Sequence, residues 1–533
     1  MADRYYDVIV IGRSLGALAA AALLARRDFT VLVIGQAVRP AEYQFEGRSL
    51  RRRAFTMLAA SSPVWRRIVG ELAQTQTWNR RIEPVTPALQ LFLPGSRFEV
   101  SAEATQFTRE VEREFPEARR LVSELYRDFG RVAAAADAAF DRDAVWPPGT
   151  FMERRETGRV ASTLPYARAE PHADLLAEFP RRHLYRNIVT ESVRFATDLS
   201  AFPPAFAAAR LHGAWTRGLV ALRGGERELD QILVDRIEAN GGVCRMNERV
   251  ASIEVRRGSA AGVQLDGDAQ PLGAGLVVAD MLGEELAALA GGHGISKKAQ
   301  SEWPRVIPGT GRFVVSLVVG RAGVSGPLGE EALVLGTTER DDVAHTIHLQ
   351  RVRGHQAPDE ELLVAEILLS ERDPLPLREV RAWVVARLCR ELPYLDRHLL
   401  LVDSVHDGLP LWRFAPAMPA PSGGEGAVQG GSRIAGLACQ PVEVERTELT
   451  GAMARAEPME RQLDVDPPGY LGLAGEPIRG PLARTLLVGR SVLPALGQEG
   501  RLLAACGAAR LVTRSDRRKA RMRREMWTKI EIS

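Results

Sequence analysis

The apolar positions of this chain fall into two regimes, one near each end and one in the middle. At the start, Val8-Ile9-Val10-Ile11 is an unbroken β-branched run, as expected for a strand buried on both faces of a parallel sheet. A glycine turn follows, Gly12-Arg13-Ser14-Leu15-Gly16-Ala17, then a small-residue helix over 18–26 and a second apolar strand over 30–34. Strand, glycine turn, helix and strand within about 30 residues is the pattern of a dinucleotide-binding βαβ unit. Its physics is that free N–H groups at the helix start face an anionic pyrophosphate, and the helix dipole favours that charge.

Beyond Gln36 the chain turns basic, with Gly47-Arg48-Ser49-Leu50-Arg51-Arg52-Arg53. This segment reads either as a wall near an anionic ligand or as a solvated loop. The patterning predicts a helix over 64–72, a hairpin over 88–100 turning at Pro94-Gly95, and helices over 102–114, 117–140 and 185–199. The βαβ-like pattern returns at Leu222-Arg223-Gly224-Gly225, with a helix over 228–239 stopped by Asn240-Gly241-Gly242. Strands are expected at 250–253, through Val263 and Leu265, and at 276–279. From Arg312 the segments FVVSLVVG, ALVLGTT, HTIHLQRV and ELLVAEILLS predict an antiparallel meander. A helix over 377–392 and a strand over 398–405 follow, and 416–431, rich in Pro, Gly and Ser, reads as a mobile loop. Near the end a strand at 486–488 stops at Gly489, and the turn 494–497 opens a helix near Gln498–Gly500. The far end of the chain thus supplies a second ligand-facing helix start.

With 533 residues the chain is too long for one core, so two or three domains are expected. Hydrophobic content of 45% and charged content of 26% are those of a globular protein. The net charge of +3 gives no general attraction to nucleic acid, but it is uneven. Eight of the 70 Lys/Arg and two of the 67 Asp/Glu lie between Arg514 and Lys529, which leaves the remainder slightly acidic. Cys244, Cys389, Cys439 and Cys506 are scattered with no C-x-x-C, which argues against a disulfide framework or a zinc site. No secretory leader and no apolar stretch of membrane-spanning length is visible. The expectation is a cytoplasmic, enzyme-like protein.

These pieces together resemble the FAD-dependent phytoene desaturase and amine oxidase superfamily. The specific motifs are the turn at Gly12–Ala17, the Arg223-Gly224-Gly225 segment through Gly241-Gly242 and Val250-x-x-Ile253, and the closing Val488-Gly489…Pro494-x-Leu496-Gly497-x-Glu499-Gly500. The LPALGQEG ending and the long central antiparallel pattern are closest to the phytoene desaturase branch. The resemblance implies an α/β fold, with a discontinuous FAD/NAD(P)-binding Rossmann-like domain beside a substrate domain of antiparallel sheet and helices. The dinucleotide domain is expected from 1–75, 215–300 and 481–513, the substrate domain from 76–214 and 301–480, and a basic tail at 514–533. It further implies that the backbone of Val250 contacts adenine and that Gly489 lies beside the ribityl-phosphate. The helix starting near Gly500 would aim its N–H groups at the flavin N1–C2 carbonyl, where the dipole stabilises negative charge on the reduced ring. Cofactor-binding roles are thereby implied for Gly12, Arg13, Ser14, Leu15, Gly16, Ala17, Gln36, Val250, Gly489, Arg490, Glu499 and Gly500.

The departures from the family fall on FAD-contacting positions. Gly35 replaces the ribose-binding acid, Arg490 the acid after the C-terminal glycine, and Ser14 the second glycine of the turn. One account is compensation, with Arg13 and Arg490 neutralising the pyrophosphate and Gln36 serving the ribose. A second is loss of the cofactor with the fold kept. A third is a changed ligand, since glycine at the strand end with Arg39 nearby admits the 2′-phosphate of NADP.

If flavin is bound, the ring performs hydride chemistry on a hydrophobic, isoprenoid or lipid-like substrate, and the protein supplies position and dryness. No triad, carboxylate pair or metal cluster is evident, and no catalytic residue is assigned. His345 and His348 fall on opposite faces of a strand, which disfavours a shared metal. His212 and Trp215 precede the glycine segment and either reach a cavity or, the preferred reading, serve packing, and Glu499 reads as a charge at a helix start. The competing expectation is a cofactor-free lipid- or prenyl-binding protein on the same fold, for which Rab GDP-dissociation inhibitor is a precedent. In the tail, Met522, Met526 and Ile530 recur every fourth residue among arginines. That basic amphipathic pattern suits either peripheral contact with anionic membrane or packing on its own domain.

Overall fold

The computed structural model describes residues 5–166, 174–268, 270–336, 345–352, 357–414, 437, 440–444 and 456–516. The loop expected at 416–431, Cys439 and the tail motif Met522, Met526, Trp527 and Ile530 lie outside the described residues.

The β-branched run at the start forms a central strand, Tyr5–Ile11, with Val8, Ile9, Val10 and Ile11 fully buried. It pairs in parallel with Leu272–Ala279 on one side and Val31–Ile34 on the other, Val8 lying opposite both Leu276 and Val31. Val243–Arg245 extends the parallel sheet beyond Val31–Ile34, and Val250–Arg256 and Ser259–Leu265 add an antiparallel edge. Thr485–Leu487 pairs in parallel with the end of Leu272–Ala279. One seven-stranded sheet is therefore assembled from the beginning, middle and end of the chain. The first helix, Leu15–Arg26, buries every residue from Gly16 to Ala25, because alanines keep it close to the sheet. The last helix, Gly497–Ser515, packs against it.

A second sheet forms the other half. Its long strand, Arg305–Gly320, lies between Glu360–Leu369 and Leu399–Asp403, and Glu460–Asp466 pairs with its first half. The expected meander forms for its last three strands, Glu331–Val334, Ile347–Val352 and Glu360–Leu369, which pair antiparallel in chain order, but not for the first. Arg305–Gly320 pairs with Glu360–Leu369 instead of with the next strand, Glu331–Val334, which sits two strands further out beside Leu89–Leu93. The connection from Gly320 to Glu331 is too long for a tight hairpin and contains a short helical turn, Arg321–Gly323, so the chain crosses before pairing. Helix Leu377–Glu391 covers this sheet with Val380, Val384, Val385 and Leu388.

The helical layer is built largely from helices packed on one another, Arg119–Phe140 and Leu184–Ala196 both against Ala205–Thr216. Besides the expected Ala104–Glu114, Arg119–Phe140 and Leu184–Ala196, two more form, Phe151–Ala161 and Ala205–Thr216. The fold class expected from the sequence is the one the structure has.

Candidate functional site

The parallel sheet delivers its ligand-facing groups at the carboxyl ends of its strands, where the first strand meets Gly12. Gly12 has φ +113°, and a side chain there would run into Asp280, whose Cβ lies 2.6 Å from the position a Cβ would take. Ser14 caps the first helix, its Oγ accepting from Ala17 N at 3.4 Å. Ser14's own N–H donates to Asp280 Oδ2 at 3.2 Å. Arg13 leaves the turn sideways and binds Asp230 Oδ2 at 2.7 Å. Burial, aided by the Glu226 charge, pushes the Asp230 carboxyl up to about 6 despite Arg13. Leu15 lines the cavity described below, and Ala17 is buried. Gly16 packs the two ends of the chain together. A Cβ on it would lie 2.4 Å from Val488 O and 3.3 Å from Arg501 O.

At the end of the second strand, Gly35 lies directly against the Met246 carbonyl, 2.2 Å from where a Cβ would stand. An acidic side chain at 35 has no room, which accounts for the glycine the sequence shows there. Gln36 turns back with φ +57°, and its Oε1 accepts from Val250 N at 2.7 Å. The Val250 amide that the resemblance assigns to adenine is satisfied from within the chain.

From the other terminus, Gly489 touches the same carboxylate, Asp280 Oδ1 standing 2.7 Å from a Cβ built there. Arg490 Nη1 donates to Glu460 Oε1 at 3.1 Å and Arg501 Nε to Asp198 Oδ2 at 3.0 Å. Burial pushes Glu460 up, but the charges of Arg490, Arg501, Arg312 and Arg53 outweigh it and hold the carboxyl at about 2. Gly500 faces the Leu493 carbonyl in its own turn. Glu499 departs from the expectation of a ligand-facing charge. Its carboxylate is turned into the protein, bound by Arg210 through two hydrogen bonds and by Ser62 Oγ at 2.5 Å. Burial raises it, but Arg210 and Ser62 keep it below the usual carboxylate range.

Between these groups lies a cavity of about 450 Å³. Ser14, Asp280 and Arg490 line it together with Phe195, Trp215 and His348. Among the described residues six arginines line it, and each has its own carboxylate: Arg13–Asp230, Arg52–Glu457, Arg53–Glu226, Arg312–Glu366, Arg490–Glu460 and Arg501–Asp198. The expected neutralisation of a pyrophosphate by Arg13 and Arg490 therefore competes with two existing ion pairs. Of the basic segment, Arg52 and Arg53 line the cavity, while Arg48 pairs with Glu360 and Arg51 with Glu42. His348 belongs to a fixed network. Its Nε2 lies 2.7 Å from Glu331 Oε2, while Thr56 Oγ1 and Gln350 Nε2 donate to Glu331 Oε1 at 2.9 and 2.8 Å. Burial would lower the imidazole pKa, but the hydrogen bond and charge of Glu331 raise it above the ordinary histidine value. His345 pairs separately with Asp373. His212 is buried between Tyr126 Oη at 2.9 Å and Ser192 Oγ at 2.7 Å, and Trp215 Nε1 donates to Ser192 O at 2.8 Å.

Sequence reasoning missed Asp280, Glu460, Arg501, Asp198 and the His348–Glu331 pair. Asp280 had a signal, because it follows an apolar parallel strand at the end where such sheets bind ligands. The others meet only through distant chain segments.

The sequence matches no protein-family model, and a search of curated proteins returned no relative. Solved structures do match. An oxidoreductase from Methanosarcina mazei superposes with a TM-score of 0.56 at 14% identity, over 95% of this chain and 99% of that one. A triple mutant of putrescine oxidase, made for redesign of cofactor binding, gives 0.55 at 14%, over 95% and 98%. Cyclohexylamine oxidase from Brevibacterium oxydans gives 0.51 at 16%, over 95% and 98%. The shared property is the fold. It extends over both sheets and nearly the whole of each chain.

Against an elongated, anionic dinucleotide the residues fit in frame. The glycine turn, two helix starts joined at Gly16 and a cavity between them are all present. Two of the backbone donors that would receive it are already bonded, Ser14 N by Asp280 and Val250 N by Gln36. Both are side-chain contacts that a rotation can release.

Proposed function

We propose that this chain is an FAD-dependent oxidoreductase acting on a hydrophobic substrate with a polar end. The observation that carries the reading is the junction at Gly16. There a Cβ would stand 2.4 Å from the Val488 carbonyl and 3.3 Å from Arg501 O of the last helix, so only glycine fits, and the starts of the first and last helices open on one cavity. In this reading the turn from Gly12 to Ala17, with Leu15 at its cavity face, holds the pyrophosphate, Val250 holds the adenosine end once the Gln36 amide oxygen gives up its N–H, and Gly489, Arg490 and the helix start at Gly500 hold the flavin end. When bound, FAD supplies hydride acceptance or donation.

The chain's own residues do the rest. Phe55, Phe195, Trp215 and Met459 make an apolar wall that excludes water from one side of the cavity, while the Arg312–Glu366 pair and His348 give it a polar end. Glu331 fixes the ring of His348. With Nε2–H donating to that carboxylate, Nδ1 is the position at which a proton is held or exchanged. The resemblance of the C-terminal motif points further to the phytoene desaturase branch and so to an isoprenoid-like substrate. NADP is the weaker cofactor alternative. The basic stretch beginning at Arg514 is proposed to rest on anionic membrane. Among the described residues no helix is long and apolar enough to cross one.

The test is the visible spectrum of the purified protein and the mass of whatever copurifies. A flavin band with the mass of FAD supports the reading. A second reading, a cofactor-free carrier of a lipid or prenyl chain, is favoured by the bonds of Asp280 and Gln36 inside the site. Colourless protein that binds lipid and takes up no added FAD would select it.

A further inference from the structure

Two hydrogen bonds inside the candidate site have the chemistry of the ligand they displace. At the start of the first helix, Asp280 places an anionic oxygen 3.2 Å from Ser14 N, where a phosphate oxygen would accept. About the same carboxylate, Gly12 and Gly489 leave a slot, since a Cβ on either would come within 2.6 or 2.7 Å of Asp280 atoms. At the other end, the Gln36 amide oxygen takes the N–H of Val250 at 2.7 Å, as an acceptor on a nucleobase or ribose would. Both contacts come from side chains far away in sequence, so neither is a by-product of local turn geometry.

We propose that Asp280 and Gln36 are internal ligands that satisfy the dinucleotide site in the resting chain, so that a dinucleotide binds only by displacing both. The proposal rests on the reading of this site as a dinucleotide site and deepens it. A pyrophosphate approaching the first helix meets a carboxylate of like charge that must first turn away. The guanidinium groups around it are each paired with a carboxylate of the chain, so they offer no uncompensated positive charge. An adenosine group gains no new hydrogen bond at Val250 until Gln36 leaves, since it exchanges one acceptor for another. The site is thereby held closed to weak anions and stable without its ligand.

The test is calorimetric titration of the full-length protein with FAD, ADP and inorganic pyrophosphate. The variants are Asp280→Asn, Asp280→Ser, Gln36→Ala and the Asp280→Asn/Gln36→Ala double, each checked by unliganded thermal unfolding. Asn and Ser each keep a polar side chain at position 280 and remove the charge, and binding is read in the variants whose unliganded unfolding midpoint matches the wild type. The expected result is that both Asp280 variants bind FAD, ADP and pyrophosphate about tenfold tighter than the wild type. Gln36→Ala tightens FAD and ADP and leaves pyrophosphate unchanged. Wild-type protein that binds FAD tightly, with no gain in either Asp280 variant, overturns the internal-ligand proposal and leaves the FAD reading standing. No uptake of FAD or ADP by the wild type or the double variant overturns both.

Discussion

Arg210, on the helix Ala205–Thr216, reaches Glu499 in the first turn of the last helix with two hydrogen bonds, Nε to Oε2 at 2.8 Å and Nη2 to Oε1 at 2.6 Å. Both side chains are buried. A second carboxylate, Asp137, lies 2.6 Å from the same guanidinium. The pair ties the helical layer to the cavity-lining start of the last helix. Removing one partner strands a buried charge, whereas replacing both with apolar groups strands none. Arg210→Ala is expected to cost about 3–5 kcal/mol in urea unfolding, and Arg210→Met with Glu499→Leu much less. Equal losses in the two variants would show that the pair is not the source of the stability.

Gly16 makes a close approach between the chain's two ends. A valine there would press into the Val488 carbonyl and the Arg501 backbone, neither of which is a flexible tip. Gly16→Val is expected to cost about 1–3 kcal/mol by overpacking, read by thermal unfolding. Gly158, with nothing within 4 Å of a built Cβ, is the control position, where Gly158→Ala leaves the midpoint unchanged or raised.

Two buried histidines give opposite pH dependences. Burial holds His212 down to about 3, so it stays neutral in the folded chain while the unfolded chain takes up a proton below about 6.5. Stability from this residue is complete above 6.5 and falls with pH at about 1.4 kcal/mol per unit, which amounts to about 2 kcal/mol at pH 5. His348 is raised by Glu331 against burial, so its contribution is present below 6.5 and is lost as pH rises through its folded value. Urea midpoints at pH 5 and 7 should fall toward acid less steeply in His212→Asn than in wild type. The ring shifts of His348 should titrate above 6.5 in wild type and below it in Glu331→Gln.

The basic stretch predicts surface behaviour. Deletion of the residues after Thr513 is expected to abolish co-sedimentation with anionic liposomes while leaving the unfolding midpoint unchanged. Undiminished sedimentation rejects the membrane proposal.

Much of the frame was legible because it is written locally. The run Val8-Ile9-Val10-Ile11, the turn at Gly12 and the Gly497-Gln498-Glu499-Gly500 start each specify their element within a few residues. The helix Ala205–Thr216 was not legible, because it is buried almost all round and so shows no polar face to set a period. Strand order in the second sheet was misread because the chain pattern fixes strands but not which of them pair. The site's charges were hidden for a related reason. Asp280 acquires meaning only from Ser14, 266 residues away, and Glu460 from Arg490, Arg501, Arg312 and Arg53. Gln36 could be assigned to the ribose from its position, but its bond to Val250 depends on a backbone reversal at φ +57°.

The central claim is that helix starts from opposite ends of the chain converge on one elongated anionic ligand. Amide hydrogen exchange of the full-length protein with and without FAD tests it directly. The account predicts that segments 12–17 and 488–501 gain protection together on adding FAD, with Val250 following. Protection confined to one of the two segments, or unchanged exchange in both at saturating FAD, would contradict it.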